Sequence, residues 1–278
     1  MNKHRTSAGT WIAFAVLIAL ALIYIFPFAL EVMSSFKTDT DATNHPLSLV
    51  PQIWTVAAYQ QLFGNSDFPR WTANSFIVTI VVTFGRVLFD SMAGYALARL
   101  RFPGRQVIFV LLVAVMAVPG VVLLIPKFLV INQLSLYDSY GGMILPLLVD
   151  ASGVFIMRNF FTSIPVAVEE QARIDGAGTF RTFWSIVLPM ARPALMTIII
   201  LSFQGSWNEL SHFIISTQSP SLTVLTKGVA QLVSGQLGSG NQYPLKLAAA
   251  GLMTVPVAIV FFVFQRQIMN ASSGAVKE

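Results

Sequence analysis

The chain contains 278 residues, of which 55% are hydrophobic and only 10% are charged. Because a soluble domain carries about 25% charged residues, this composition predicts an integral membrane protein. The formal net charge of +5 raises the question of a nucleic-acid partner, but the basic residues occupy short breaks between apolar runs, as expected of a membrane protein. The lack of cysteine excludes disulfides, thiolate metal sites and a cysteine nucleophile.

Six apolar runs are long enough to be membrane helices, since roughly 20 apolar residues span the hydrocarbon core. The predicted spans are residues 11–30, 73–98, 107–125, 141–157, 194–216 and 247–264. The first run follows Lys3 and Arg5, so a signal peptide is the competing interpretation. It is too long for a typical signal-peptide core, and no small-residue cleavage site follows it. We therefore predict one all-α domain over residues 1–278, with six transmembrane helices and both termini on the same side.

The distribution of lysine and arginine predicts the orientation, because cytoplasmic loops carry the excess of positive charge. If residue 1 is cytoplasmic, the external loops contain only Lys37, Arg70, Lys127, Lys227 and Lys246. The cytoplasmic segments then contain Lys3, Arg5, Arg99, Arg101, Arg105, Arg158, Arg173, Arg181, Arg192, Arg266 and Lys277. We therefore expect both termini and the polar loop 158–193 to lie in the cytoplasm.

The loop 158–193 contains a short amphipathic helix. Pro165 suits a first helical turn, and Asp175-Gly176 is typical of a helix end, so we predict a helix at 165–176. The predicted apolar face comprises Ile164, Val168, Ala172 and Ala177. The predicted charged face comprises Glu169, Glu170 and Arg173, with Glu169 and Arg173 spaced i,i+4. Such an element indicates a contact with another protein, an interfacial helix resting on lipid headgroups, or an ordinary loop.

Two charged residues, Arg86 and Asp90, lie within the second span at i,i+4 spacing. An unpaired charge in lipid is costly, so we predict a structural ion pair between them inside the helix bundle. The alternative is a substrate or ion pathway. Asp150, in the fourth span, has no partner that the sequence identifies.

The most polar part of the spans is near the end of the fifth, where Gln204, Trp207, Asn208 and Ser211 occur. On a continuous helix, residues 204, 208 and 211 follow one stripe, with the indole nearby. Amide groups and an indole suit a hydroxyl-rich ligand, so these residues are candidates for a substrate pathway. The alternative is that they bond between helices and hold the bundle together.

No catalytic motif occurs in the sequence. The chain has no G-x-x-x-x-G-K-[ST] loop, so it is not expected to hydrolyse ATP, and it has no H-E-x-x-H or G-x-S-x-G motif. We therefore predict that it is not an enzyme and has no catalytic or metal-binding residues.

The spacing of the loop residues resembles a known signature. Glu170-Gln171-Ala172 is followed after three residues by Gly176, and after nine more by Ile186-x-Leu188-Pro189. This pattern resembles the E-A-A-x3-G-x9-I-x-L-P signature of ABC importer permeases. Further segments resemble the smaller maltose-type permease of carbohydrate importers, and the similarity extends over essentially the whole chain. These segments are Tyr95–Arg99 with Phe102-Pro103-Gly104, Ile174–Ala177, Trp207-Asn208-Glu209 and Gly274–Lys277.

The resemblance implies the type I ABC importer permease fold and the import of sugars, such as an oligosaccharide or a polyol, by alternating access. It implies a second homologous permease, two ATP-binding subunits and an extracytoplasmic solute-binding protein as partners, in the cytoplasmic membrane of a prokaryote and with no nucleic acid. ATP and Mg²⁺ are expected in the ATP-binding subunits, and no cofactor in this chain.

The resemblance also assigns the helix at 165–176 as a coupling helix that contacts an ATPase subunit. The residues implied in coupling are Glu169, Glu170, Gln171, Ala172, Arg173, Asp175, Gly176, Leu188 and Pro189. Gln171 departs from the usual alanine. Two alternatives remain open: an ABC permease for another solute, such as glycerol phosphate or a peptide, and a secondary transporter, which needs coupling groups at the midplane and often an internal repeat.

Overall fold

The computed structural model describes residues 8–64, 67–235 and 242–274. Predictions that concern Lys3, Arg5 and the tail 275–277 therefore lie outside the described residues. The described chain forms two compact units. One contains the residues up to Pro69 together with those of Val229–Val255, and the other contains Arg70–Gly228 and the chain from Pro256.

The first unit begins with the most apolar helix, α1 (Ala8–Ser34), whose most apolar window has none of its residues buried within the chain. Two short helices follow, α2 (Asp39–Asn44) and α3 (Ala57–Gly64). Thr38 caps α2 by accepting a hydrogen bond from the Asp41 backbone N–H at 3.2 Å. The segment between α1 and α2 is further ordered by the buried Lys37, whose Nζ donates to the His45 carbonyl at 2.8 Å.

The second unit contains most of the remaining helices. In chain order they are α4 (Phe68–Arg99), α5 (Arg105–Met116), α6 (Leu124–Gln133), α7 (Tyr140–Ile144), α8 (Ala151–Ser163), α9 (Val166–Ile174), α10 (Thr179–Thr182), α11 (Leu188–Met190), α12 (Arg192–Trp207), α13 (Ser211–Ser216), α14 (Leu225–Val233) and α15 (Tyr243–Gly274), of which α4, α14 and α15 extend across the unit boundaries. Short 3₁₀ segments occur at Gly120–Leu123, Leu145–Leu147 and Pro220–Leu222, and a π-helical turn at Phe183–Val187.

Four segments of the described chain are long and apolar enough to cross a membrane. They are Gly9–Ser34, Phe68–Arg99, Tyr140–Ser163 and Tyr243–Gln265. Two bent pairs also qualify if each is one span: Arg105–Met116 with Gly120–Gln133, bent by 106°, and Thr179–Met190 with Arg192–Trp207, bent by 81°. Counted in this way, the spans number six, in agreement with the prediction.

Two predicted spans contain helix breaks. The third, predicted over 107–125 with an interruption at Pro119-Gly120, breaks between Met116 and Gly120, where Pro119 has an extended ψ of 131° and starts a new segment. The fifth, predicted over 194–216, ends at Trp207. The Glu209 carboxylate accepts the His212 backbone N–H at 2.8 Å and so supports the separate start of α13.

A buried cluster lies where α4, α8 and the loop after α9 converge. It comprises Tyr95, Met157, Phe161, Ile164, Phe183, Val187, Ala191, Ala194 and Ile198. The cluster therefore packs the ends of the second, fourth and fifth predicted spans against one another at the base of α9. This packing fixes the position of the candidate site.

Candidate functional site

The predicted helix of the polar loop is present as α9, which begins at Val166 directly after Pro165 and ends at Ile174. Its end is a Schellman motif. The N–H of Ala177 donates to the Ala172 carbonyl at 2.9 Å, and the N–H of Gly176 donates to the Arg173 carbonyl at 3.0 Å. Gly176 adopts a φ of +80°, a conformation that favours glycine because it has no Cβ. This position explains the glycine of the signature.

The predicted apolar face of α9 points inward. Ile164 and Ala172 are buried, and Val168 and Ala177 are partly buried. The outer face carries Glu170, Gln171, Arg173 and the apolar Ile174, which is 85% exposed. An exposed helix with charged, amide and apolar groups together is suited to contact another protein.

Glu169 is the exception to the predicted charged face, and that part of the prediction is wrong. Its side chain is only 5% exposed and points into the protein. Oε1 lies 3.1 Å from Nε of Arg99, and Oε2 accepts a hydrogen bond from the Tyr95 hydroxyl at 3.3 Å. The Arg99 contact is an ion pair without hydrogen-bond alignment, since neither atom has a hydrogen-bond partner. A carboxylate can be buried here because a cation and a hydroxyl face it.

Arg99 connects three segments. Besides the contact with Glu169, its Nη2 donates to the backbone carbonyls of Phe161 and Ile164, at the end of α8. The last carbonyls of a helix have no partner within the helix and carry partial negative charge. A guanidinium, with donors in a fixed fork, can serve several of them together. Arg99 therefore holds the α8–α9 junction from α4.

Leu188 and Pro189 lie on the other side of the same junction. The chain passes from the π-helical turn at Phe183–Val187 into α11 and then bends at Ala191, whose N–H donates to the Val187 and Leu188 carbonyls at 3.1 Å each. Pro189 and Pro193 flank this bend and restrict the backbone on both sides of it. Leu188 packs against the buried cluster at the base of α9.

Arg86 and Asp90 are not paired as predicted. Among the described residues they form no ion pair with each other, because each has a backbone partner in the neighbouring span. Arg86 Nε donates to the Leu147 carbonyl at 2.7 Å, and Asp90 Oδ1 accepts the Asp150 N–H at 3.0 Å. Both partners lie at the break between the 3₁₀ segment Leu145–Leu147 and α8. At that break the Leu147 carbonyl and the Asp150 N–H have no partner within a helix, and leaving such a backbone group unsatisfied in a membrane is costly. Arg86 and Asp90 therefore bond to these backbone groups instead of to each other.

The candidate pathway residues do not form one stripe. Gln204 lies on α12, Asn208 caps its end, and Ser211 begins α13; all three are exposed on the second unit. Trp207 is 2% exposed, with its ring stacked on Phe203 at 5.8 Å between centroids. Its indole is therefore part of the protein interior rather than a free surface for a ligand.

The contribution of Tyr95 and Arg99 was missed by the sequence-based site assignment, although both belong to the motif Tyr95–Arg99 that carried the resemblance. Their i,i+4 spacing places both on one side of α4. A tyrosine and an arginine in the last turns of a predicted span, facing the same way, were the available signal for a buried carboxylate. Which carboxylate it is depends on the packing of α9.

Comparison with known proteins shows the family to which the chain belongs. Residues 90–271 match the family described as binding-protein-dependent transport system inner membrane component. The chain belongs to this family. As in the family description, it is a transport permease component of the inner membrane, and both the buried Arg99–Glu169 pair and the whole of α9 lie within the matched region.

Two relatives illustrate the similarity. The chain is 33% identical to the diacetylchitobiose uptake system permease protein of Streptomyces coelicolor, over 94% of this chain and 87% of that protein. It is 33% identical to the arabinooligosaccharides transport system permease protein of Bacillus subtilis, over 93% of this chain and 92% of that protein.

A third relative and a solved structure widen the comparison. The sn-glycerol-3-phosphate transport system permease protein of Yersinia pestis is 31% identical, over 90% of this chain and 91% of that protein. A crystal structure of a bacterial ABC transporter involved in the import of the acidic polysaccharide alginate matches 96% of this chain and 99% of its own, with a TM-score of 0.81 and 26% identity. The predicted ABC importer permease fold is therefore confirmed.

Proposed function

We propose that the chain is the membrane-spanning permease subunit of an ATP-driven importer of sugars. The names of the Streptomyces and Bacillus relatives and the alginate transporter support a saccharide as the substrate class. In this proposal the chain pairs with a second, homologous permease, receives the sugar from an extracytoplasmic binding protein and contacts ATP-binding subunits in the cytoplasm. It crosses the cytoplasmic membrane of a prokaryote several times, with α9 on the inner side as the basic residues predict.

The observation that carries the proposal is the form of α9. The helix is closed at its end by the Gly176 motif, is seated on a buried cluster and is ionically attached to α4 through Glu169, yet it exposes Glu170, Gln171 and Ile174. A helix that is rigidly attached to the membrane helices and exposes charged, amide and apolar groups is suited to bind in a groove of another subunit and to transmit its motion. ATP and Mg²⁺ are held by that subunit, because this sequence has no phosphate-binding loop. Closure of the ATPase pair then moves α9 and switches the pathway between its two faces.

The substrate pathway proposed for this chain includes the exposed amides of Gln204 and Asn208 and the hydroxyl of Ser211. These groups can donate and accept hydrogen bonds with sugar hydroxyls. Trp207, stacked on Phe203, holds the end of α12 on which the amides lie. Its role in the pathway is thus to position the amides.

Glycerol phosphate is the second candidate, supported by the identity to the Yersinia relative. A phosphate needs a free cation in the pathway, and Arg86 is the only arginine or lysine within the spans by our sequence assignment. Its Nε donates to the Leu147 carbonyl, but the guanidinium keeps its charge and its Nη donors. The charge of Arg86 therefore does not separate the two candidates, and the saccharide relatives are the reason to place a sugar first.

The first experiment is reconstitution of the complex, with all partner subunits, in proteoliposomes. ATP hydrolysis is measured with the binding protein and a panel of mono- and oligosaccharides, with glycerol 3-phosphate as the competing substrate. We expect at least one saccharide to stimulate hydrolysis. Stimulation by glycerol 3-phosphate alone, or by no saccharide, rejects the sugar assignment.

The second experiment tests the contact of α9 with an ATPase. The chain contains no cysteine, so a single Gln171→Cys substitution gives a unique site for a short cross-linker with one thiol-reactive and one photoactivatable group. We expect a cross-link to an ATP-binding subunit, whereas Ser211→Cys, on the exposed start of α13, should give none. A cross-link from position 211 but not from 171 contradicts the proposed orientation.

A further inference from the structure

Helix α8 is held at both ends by side chains of the same neighbouring helix, α4. At its start, Asp90 Oδ1 accepts the Asp150 N–H at 3.0 Å, and the Asp150 carboxylate accepts the Gly153 N–H at 3.1 Å. At its end, Arg99 donates to the carbonyls of Phe161 and Ile164. A carboxylate at the first turn and a guanidinium at the last match the sign of the helix dipole.

The break before α8 is held from both sides. Arg86 donates to the carbonyl of Leu147, the last residue of the preceding 3₁₀ segment, while Asp90 accepts from Asp150, which precedes α8. Because Arg86 and Asp90 lie one turn apart on α4, they bracket residues 148–150. The interrupted backbone inside this span is therefore fixed by α4.

Close backbone contact joins the two helices between these polar ends. A Cβ placed on Gly94 would lie 2.7 Å from the Met157 Cβ and 2.9 Å from the Arg158 nitrogen, and one placed on Gly85 or Gly153 would collide with Leu148 or Asp90. Small residues allow membrane helices to approach so closely. At Gly94 the close neighbours are a Cβ and a backbone nitrogen, so side-chain rearrangement cannot absorb a displacement of α4 against α8 there.

Arg99 extends this unit into α9. The side chains of Arg99 and Glu169 are 9% and 5% exposed, and the Tyr95 hydroxyl closes the other side of the carboxylate. The ion pair is thus shielded from water. Because the effective dielectric constant of the protein interior is lower than that of water, the attraction between the two charges is stronger there. Through Arg99, α9 is attached to the helix that brackets the membrane break.

We propose that Arg99 is a positioning residue for transport: it joins α4, α8 and α9 into one rigid body, which carries a displacement of α9 to residues 148–150 in the membrane. The inference rests on the proposed contact between α9 and an ATPase. In this view Arg99 transmits motion, and the exposed residues of α9 receive it.

The test uses spin labels on the complete complex in lipid nanodiscs. The sequence has no cysteine, so two introduced cysteines define each labelled pair. The pair Met92→Cys and Gln171→Cys reports the distance between α4 and α9, and the pair Ile259→Cys and Gln171→Cys reports the distance between α15 and α9. Met92 and Ile259 are 42% and 55% exposed, so both positions accept a label. Distances are compared without nucleotide and after trapping with ATP and vanadate. We expect the first distribution to stay the same and the second to shift.

Substitution of Arg99 separates transmission from folding. Arg99→Met should broaden the 92–171 distribution and raise hydrogen exchange at 161–176 by roughly tenfold to a hundredfold, because a buried carboxylate and two carbonyls lose their partner. Arg99→Lys, which keeps the charge but not the fork, should be intermediate. Arg101→Met removes an exposed arginine two residues away and should change neither measurement.

Sugar transport per ATP hydrolysed supplies the readout that a purely structural role leaves unaffected. Per assembled complex, Arg99→Met should still hydrolyse ATP but should transport less sugar per ATP. Its 92–171 distance should change on trapping, because α4 no longer follows α9. If Arg99→Met prevents assembly, Glu169→Gln replaces it, and the distance measurement on the cysteine-pair protein with Arg99 intact requires neither substitution. The rigid-body proposal is overturned if the 92–171 distance changes on trapping in the protein with Arg99 intact. It is also overturned if Arg99→Met leaves the distance distributions unchanged. Failure of Gln171→Cys to cross-link to an ATPase instead overturns the proposed function and leaves the distances interpretable.

Discussion

Replacement of Gly176 by alanine is the most direct test of how the end of α9 is built. Gly176 has a φ of +80°, and a Cβ placed on it meets nothing within 4 Å. The cost of alanine is therefore conformational and not steric. A left-handed conformation costs a non-glycine residue about 1–2 kcal/mol. The hydrogen bonds of Gly176 and Ala177 to α9 depend on this conformation and should weaken by that amount.

Gly178 is the matched control. It also meets nothing within 4 Å, but its φ is −69°, which alanine adopts without strain. Both substitutions reduce the flexibility of the unfolded chain to the same extent, which stabilises by about 0.4–1 kcal/mol when the native conformation is compatible. The difference between Gly176→Ala and Gly178→Ala therefore isolates the strain at Gly176.

The assay is hydrogen exchange of the peptide that covers 166–178 in the assembled complex. A loss of 1–2 kcal/mol should make exchange about 5–30-fold faster in Gly176→Ala than in Gly178→Ala. Gly176→Asn should recover part of the loss, since asparagine tolerates the left-handed region. Equal exchange in the two alanine variants would falsify the reasoning, and it would show that φ at Gly176 does not stabilise the end of the helix.

Three further outcomes are expected. Glu170→Lys should reduce transport per ATP hydrolysed while leaving the melting temperature of the complex unchanged, because the side chain is exposed; Glu170→Gln should be milder, and normal transport by Glu170→Lys rejects the lever. Gly228→Ala should destabilise by about 1–3 kcal/mol, because the new Cβ meets the Trp71 ring, whereas Gly64→Ala meets nothing; equal melting temperatures contradict this. Hydrogen bonds from Ser219 and Gln218 lower the pKa of Asp138, so the Asp138 carboxylate stabilises the folded protein fully above the unfolded pKa of about 3.9, and this contribution is lost as pH falls through the lower folded pKa. The destabilisation caused by Asp138→Asn should therefore disappear in acid. A stability difference between the two proteins that does not change with pH refutes this reasoning.

Much of the architecture could be predicted from the sequence because membrane helices leave a local signal. Apolar runs located the candidate spans, Pro165 and Gly176 predicted α9, and the spacing of Glu170, Gly176 and Pro189 predicted the family. Proline and glycine at 165 and 176 set the ends of α9 through their own backbone preferences. These features depend only on residues close together in the chain.

The bends and the partners of buried charges could not be predicted in the same way. Pro119 marked an interruption, but the 106° bend depends on how α6 packs. Arg86 and Asp90 have the spacing of an ion pair and bond instead to a break in another span. Glu169 has the spacing of a surface pair with Arg173 and is buried against Arg99.

The sequence by itself thus predicted a membrane permease with a short amphipathic helix in a polar loop, and the family and that helix are both confirmed. The tertiary structure alone decided which charges face inward and what they hold. The physical reason is that apolar length and backbone preference are properties of a local segment, whereas the lowest-energy partner of a buried charge is set by whichever unsatisfied group a distant helix brings beside it.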